Sequence, residues 1–261
     1  MSAPAKTKKR RSWLGLLIPA VLAFAVLVAL GTWQIERKTW KEGLIAALTQ
    51  RLAAPPAALP APATWPSLDS ASDEYRRVEF TAAFDHAKEA LIYAVASSFR
   101  PDVAGCGPGY WIFTPALLPD GGFVIVNRGF VPEARKDAAS RAGGQIAGPV
   151  EIVGTMRWPD ARHWFSPAAD PRQNLWFTRD PLAIAAAKGL NQGLAPAAPF
   201  YVEQESPTPP GGLPQPGKLV VRLRDEHLQY AVTWYGLALV LVVVFVVWAR
   251  SSRRARLTQD V

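Results

Sequence analysis

One short stripe near the C-terminal end of the chain combines groups that could hold a planar, metal-bearing ligand. His227, Tyr230 and Trp234 stand at roughly 0°, 300° and 340° on a helical projection, so they share one face. A neutral imidazole can give an electron pair to a metal or donate a hydrogen bond, and aromatic rings beside it suit a flat ligand. The same residues also describe an aromatic belt at a membrane interface, with His227 resting among headgroups. Both alternatives are open on these residue types alone.

Other chemistries find little material. The remaining histidines, His86 and His163, lie far from His227 and from each other. Cys106 is the single cysteine, which excludes an internal disulfide and a paired-thiolate metal site; in "GCGPG" it fills a turn. No G-x-S-x-G, H-E-x-x-H, P-loop or G-x-G-x-x-G pattern occurs, so hydrolase, zinc-protease, nucleotide-binding and dinucleotide-binding machinery have no anchor. Asp85, His86 and Glu89 fall in a predicted hairpin and are expected to serve turn and surface roles. Arg162, His163 and Trp164 are expected in a solvated loop.

Two apolar runs must position the stripe. No charged residue occurs from Ser12 through Ile35 or from Leu228 through Ala249. A hydrocarbon core about 30 Å thick needs roughly 20 helical residues, so both runs can cross it. Trp13 and Trp33 bracket the first, and Tyr230, Trp234, Tyr235 and Trp248 sit near the ends of the second, as interfacial rings do. The first run exceeds the apolar core of a signal peptide and is expected to be a retained span.

The net charge of +8 resembles that of a nucleic-acid binder only until it is located. Lys6, Lys8, Lys9, Arg10 and Arg11 precede the first span, and Arg250, Arg253, Arg254 and Arg256 follow the second. These tails, with Asp260, carry the whole excess; the segment between the spans is neutral. Short basic flanks mark the cytoplasmic side and attract anionic lipid. Both termini are therefore expected in the cytoplasm and the centre of the chain across the membrane, with no nucleic-acid partner.

Between the spans, Trp33, Arg37, Trp40, Lys41 and Leu44 keep helical spacing beyond the bilayer. "AAPPAALPAPATWP" then stops the helix, because proline lacks the amide proton and fixes φ, and reads as an extended linker. Short β-type runs follow: "RRVEFTAAF", "ALIYAVASSF", "YWIFTPALL", "FVIVNRGFV", "VEIVGTMRW" and "PFYVEQE". "FVIVNRGFV" is apolar on both alternating sets, which suits a strand buried on both faces. "RDPLAIAAAKGL" is expected to be one helix, capped by Asp180, with Pro181 in its first turn and Gly189 at its end. "SPTPPGGLPQPG" reads as a second linker.

The expected architecture is membrane-anchored α+β: two transmembrane helices flanking an antiparallel, barrel-like β-rich domain with one helix. Its divisions are a basic tail at 1–12, a span at 13–35, a juxtamembrane helix and Pro-rich linker at 36–66, and the β-rich body at 67–204. A Pro/Gly linker at 205–227 leads to the second span at 228–249 and a basic tail at 250–261.

Several of these stretches resemble one family. "LGTWQIERKTWKEGLI" at Leu30–Ile45 and "HLQYAVTWYGLA" at His227–Ala238 are similar to the two span signatures of the Surfeit locus protein 1 family. "YRRVEFTAAFDH", "TPALLPDGGFVIVNRGFVP", "WFTRDPLAIAAAKGL" and "FYVE" match between them in order. Asp225 and Glu226 stand where the family commonly carries Asn. The resemblance implies a non-enzymatic assembly factor for haem-copper terminal oxidases, chiefly cytochrome c oxidase, that assists insertion of haem a into the catalytic subunit. It implies as partners that catalytic subunit, haem a synthase and membrane lipid. With only about a dozen residues before the first span, no transit peptide is expected, and the expected location is a bacterial inner membrane with the body in the periplasm.

On that resemblance, His227 would be an axial haem ligand, Tyr230 and Trp234 would line the groove, and Arg37 would lie near the propionates. Trp33 and Trp40 would close the opposite side and face partners. A second possibility is a scaffold that binds no cofactor and steadies the nascent catalytic subunit. For that scaffold Asn127 and Arg128 of "VNRGFVP" would form a docking edge.

Overall fold

The computed structural model describes residues 14–95, 107–161, 163–190, 195–217 and 226–257. Cys106, Arg162, Asp225, the N-terminal tail through Trp13 and the chain from Thr258 onward lie outside the described residues. The chain divides into two compact units, one formed by Met1–Ala47 with Arg222–Val261 and the other by Leu48–Val221.

The first unit is a pair of helices. Helix α1 spans Leu14–Ala53 without a break between the apolar run and the juxtamembrane segment, because "GTWQIERKTWKEGLI" contains no proline. The interior Pro19 sits in the apolar run. Helix α4 spans His227–Leu257. Both are long and apolar enough to cross a membrane, and their outward-facing valines and leucines are exposed, as lipid-facing residues are.

The second unit is a β-barrel with short helices. Its elements are β1 (Ala57–Ala58), α2 (Ser70–Asp73), β2 (Arg77–Phe84), β3 (Ala90–Val95), β4 (Pro108–Leu117), β5 (Phe123–Pro132), β6 (Pro149–Arg157), β7 (Leu175–Trp176), α3 (Pro181–Ala187) and β8 (Ala197–Ser206). The sheet order is β1-β2-β6-β8-β5-β4-β3-β7, and β2 also pairs with β4. That extra pairing, Ala83 with Leu117 and Phe84 with Ala116, closes β2, β6, β8, β5 and β4 into a ring.

The expectation of a curled, barrel-like sheet holds, with one refinement in strand direction. Most pairings are antiparallel, but β5 pairs parallel to β8, as do β1 to β2 and β3 to β7. A parallel neighbour needs a long crossover, and the chain between β5 and β8 supplies it through β6, β7 and α3. Helix α3 has the expected punctuation: Asp180 accepts a hydrogen bond from the Ala183 amide at 3.0 Å, Pro181 opens the first turn, and Gly189 at φ +69° follows the end.

Strand β5 is buried on both faces, as its continuous apolar run predicts. Phe123 and Ile125 join a core with Ile92, Phe113, Trp176, Ile184 and Tyr201. The alternate residues Val124 and Val126 join a second core with Val78, Ile152, Met156, Phe200 and Val202. The period of two carries each strand's side chains into opposite cores.

The two proline-rich segments, expected as linkers, both make contacts with the barrel. Pro62–Ser67 winds into a 3-10 turn that carries Trp65 into the second core at 2% exposure. Trp65 packs edge-on against Phe200 at 5.9 Å, and its Nε1–H donates to Pro60 O at 2.8 Å. In the other segment, Gln215 exchanges both backbone hydrogen bonds with Phe130, at 2.9 and 3.0 Å. Gly129, at φ +123°, allows that approach, since a Cβ there would run into the Gln215 carbonyl. Prolines cannot extend a ladder, but they can lay a stiff strap over one.

Candidate functional site

The two membrane-capable helices meet along stripes of three- and four-residue spacing. On α4 the less exposed residues are His227, Ala231, Trp234, Ala238, Leu241 and Phe245; on α1 they include Leu27, Val28, Gly31, Gln34, Lys38 and Lys41. Small residues set the separation. A Cβ on Gly31 would lie 2.9 Å from the Tyr235 ring, and Ala231 and Ala238 are almost fully buried. Thr32 Oγ1 donates to Val28 O at 3.0 Å within α1. It therefore accepts from Tyr235 Oη, 3.1 Å away on α4.

His227 begins α4 and is held by α1. Its Nδ1 lies 2.7 Å from Gln34 Oε1. An amide oxygen can only accept, so Nδ1 carries the proton, and in the neutral ring Nε2 is the nitrogen that holds the electron pair. Around this pair is a recess of about 260 Å³, lined by Gln34, Lys41, Glu226, His227 and Tyr230. The site thus joins an oriented imidazole, an ammonium, a carboxylate and a phenol ring on two antiparallel helices.

The other residues of the expected stripe take separate places. Tyr230 borders the recess and is 51% exposed, whereas Trp234 is part-buried on α4 and does not line it. Arg37 is also outside the recess: its guanidinium lies over the Trp40 ring, 4.0 Å from the centroid, a cation–π contact. The cation in the recess is Lys41. Trp33 and Trp40 are 53% and 55% exposed, on an outward strip of α1. Residue type alone does not single out Gln34, Lys41, Thr32 or Tyr235. The signal that could find the α1 residues is spacing, since Gly31, Gln34, Lys38 and Lys41 recur at three and four residues.

Asn127 and Arg128 require a correction, because neither forms an exposed docking edge. Each is 1% exposed, since β5 is covered on both faces. Asn127 Oδ1 accepts from the Gly129 amide at 3.1 Å, fixing the turn of backbone beneath the Gln215 strap. Arg128 donates through Nη2 to Gly144 O and through Nη1 to His86 Nδ1 at 3.2 Å, and its guanidinium covers the Phe84 ring at 4.6 Å. Burial lowers its pKa to about 10.

His86 is likewise drawn inward from its expected surface role. Its Nδ1 accepts from Arg128, so Nε2 carries the proton and donates to Ile146 O at 2.9 Å. Burial pushes its pKa below the usual value. The Ile146 hydrogen bond opposes that shift, while the nearby Arg128 and Arg141 charges add to it. Glu89 is also buried, in a two-point ion pair with Arg141: Nη1 meets Oε2 at 3.2 Å, and Nη2 meets Oε1. This cluster fastens the 3-10 segment Ala138–Gly144 to the barrel.

His163 and Trp164 keep their expected loop position. Ser166 N donates to His163 O at 3.0 Å, closing a turn that leaves Trp164 at 96% exposure. Among the described residues no group of three or more His, Cys, Asp or Glu side chains could hold a metal ion.

Comparison with known proteins finds sequence similarity over most of the chain. Residues 21–239 match the sequence model of the SURF1 family, a range that includes every residue lining the recess and the entire barrel. Surfeit locus protein 1 of Homo sapiens is 38% identical over 238 residues, covering 87% of this chain and 73% of that protein. A SURF1-like protein of Monosiga brevicollis is 37% identical over 246 residues, covering 92% and 88%. A SURF1-like protein of Drosophila melanogaster is 36% identical over 238 residues, covering 87% and 73%. With the family match running from the first membrane-capable helix through the barrel to the second, this chain belongs to the SURF1 family.

Proposed function

We propose that this protein assists the assembly of a haem-copper terminal oxidase by holding haem a on its helix pair until the oxidase catalytic subunit accepts it. The single observation that carries the proposal is the His227–Gln34 hydrogen bond, which links the two membrane-capable helices and occupies Nδ1 as the donor. A ring fixed in that tautomer presents Nε2 as an iron ligand, and a second helix determines its orientation.

The recess suits the group in chemistry and only partly in size. His227 supplies the ligand nitrogen, the Lys41 ammonium a partner for a propionate carboxylate, and Tyr230 a flat wall. At about 260 Å³ the recess is smaller than the roughly 300–1,000 Å³ of sites that enclose drug-sized ligands. It would grip one edge of the macrocycle and leave the rest to lipid. Such a partial hold favours transfer over storage. When bound, the haem supplies the redox-active iron that the oxidase needs; this chain's own residues orient it and keep an apolar, reactive group out of bulk water.

The uneven charge supports a location in a bacterial inner membrane, with the basic tails cytoplasmic and the barrel in the periplasm. The exposed strip of Trp33, Arg37 and Trp40 on α1 is a suitable contact for the catalytic subunit or for haem a synthase.

The test is the absorption spectrum of the full chain purified from cells that make haem a. Wild type is expected to retain haem with histidine ligation, His227→Ala to lose that ligation, and Gln34→Leu to weaken it. Unchanged ligation in His227→Ala would remove His227 from the proposal. Co-purification of the catalytic subunit from cells lacking haem a, with no haem on the wild-type protein, would favour the cofactor-free scaffold instead.

A further inference from the structure

Farther along the same helix pair lies a second concavity of different chemistry. It has a volume of about 190 Å³, and its walls include Leu17, Ala20 and Phe24 of α1 and Leu241, Val242 and Phe245 of α4, with no polar atom exposed in it. At the level of Gly31 and Tyr235 the helices are in contact, and this cleft opens beyond that contact. Phe245 also meets the Trp248 ring at a tilt, with centroids 5.7 Å apart.

We infer that this cleft receives the end of the isoprenoid tail of haem a while His227 holds the macrocycle; the inference rests on the haem reading proposed above. Four features support that occupant. The cleft and the recess lie on one pair of antiparallel helices. The helical rise places Phe24 about 15 Å from Gln34, and Leu241 about 21 Å from His227, along the helix axes. The extended farnesyl chain of haem a can bridge such a separation. The lining is entirely apolar, which suits a hydrocarbon chain and offers nothing to a propionate or an ion.

The tail gains little hydrophobic energy there, because an unbound tail already lies in lipid and the driving force between apolar groups is absent within a bilayer. What the cleft adds is close packing against fixed side chains, so its contribution is to selectivity. It would distinguish haems that carry the tail from those that lack it, while the recess alone would bind either.

The experiment uses the full chain in lipid nanodiscs, titrated separately with haem o, which carries the tail, and haem b, which lacks it, while the Soret band is followed. Wild type is expected to bind haem o about tenfold more tightly than haem b. Ala20→Phe, which fills the cleft from α1, is expected to erase that difference and leave the haem b affinity and its ligation spectrum unchanged. Val242→Phe, which fills it from the opposite wall, is expected to do the same. Equal affinity of wild type for the two haems, or a tenfold preference that survives both substitutions, overturns the cleft's role and leaves haem binding at His227 standing. Failure of wild type to bind either haem overturns the haem reading itself, and the cleft's role with it.

Discussion

Replacing Trp65 by alanine tests whether the first proline-rich segment belongs to the barrel's core. Trp65 is 2% exposed, touches Phe200 edge-on and donates to Pro60 O. A buried tryptophan removes about 150–250 Å² from water, which at about 25 cal/mol per Å² gives about 4–6 kcal/mol as an upper bound. Measured truncations of buried aromatic residues to alanine cost about 3–5 kcal/mol, and we expect that range here. With a urea slope of about 2 kcal/mol per M, the midpoint should fall by roughly 2 M. Pulse proteolysis of the detergent-solubilised full chain across a urea series reports on the barrel, since the apolar helices stay in the micelle. Trp65→Phe keeps most of the ring contact and loses the Nε1 donor, so it should cost about 1–2 kcal/mol. A change within about 0.5 kcal/mol for Trp65→Ala, the size typical of surface positions, would refute the assignment of this segment to the core.

Three further outcomes are expected. The lowered pKa of His86 means that the unfolded chain binds more protons than the folded one as pH falls below 6.5. Its stabilising contribution is therefore fully present above that value and is lost as pH falls through the lower folded-state pKa. Urea midpoints measured from pH 7.5 to 5 should decline, and His86→Gln should flatten that slope. Glu89→Gln leaves the Arg141 guanidinium buried without its counter-charge and should cost about 3–5 kcal/mol, while Glu89→Gln with Arg141→Met should regain a large part of the loss, both read by urea midpoint. Gly31→Val forces a side chain against the Tyr235 ring, which a Cβ alone would approach to 2.9 Å. It should weaken helix pairing by about 1–3 kcal/mol, seen as reduced disulfide cross-linking between cysteines placed at positions 34 and 227 in a Cys106→Ser background.

Much of the architecture was legible without coordinates because its signals are local. An apolar run of more than twenty residues needs no partner to declare itself, and the strand edges around β2, β4, β5 and β6 follow alternation and turn residues within a few positions. Asp180 and Gly189 mark the ends of α3 by the backbone groups they satisfy. Trp65 was hidden among prolines and alanines, where nothing local distinguishes a buried ring from a linker's ring. The same holds for Gln34, an ordinary amide until α4 brings His227 to it, 193 residues later.

By itself, then, the sequence determined the two apolar helices, the neutral β-rich body between them and the concentration of positive charge in the tails, all of which depend on composition and short-range period. Tertiary structure decided which strands run parallel, that β2 closes onto β4, that Asn127, Arg128 and His86 face inward, and that Lys41 rather than Arg37 accompanies His227 in the recess. These are matters of which distant segments meet. A side chain's chemistry becomes a role only when the chain brings its partner within hydrogen-bonding distance.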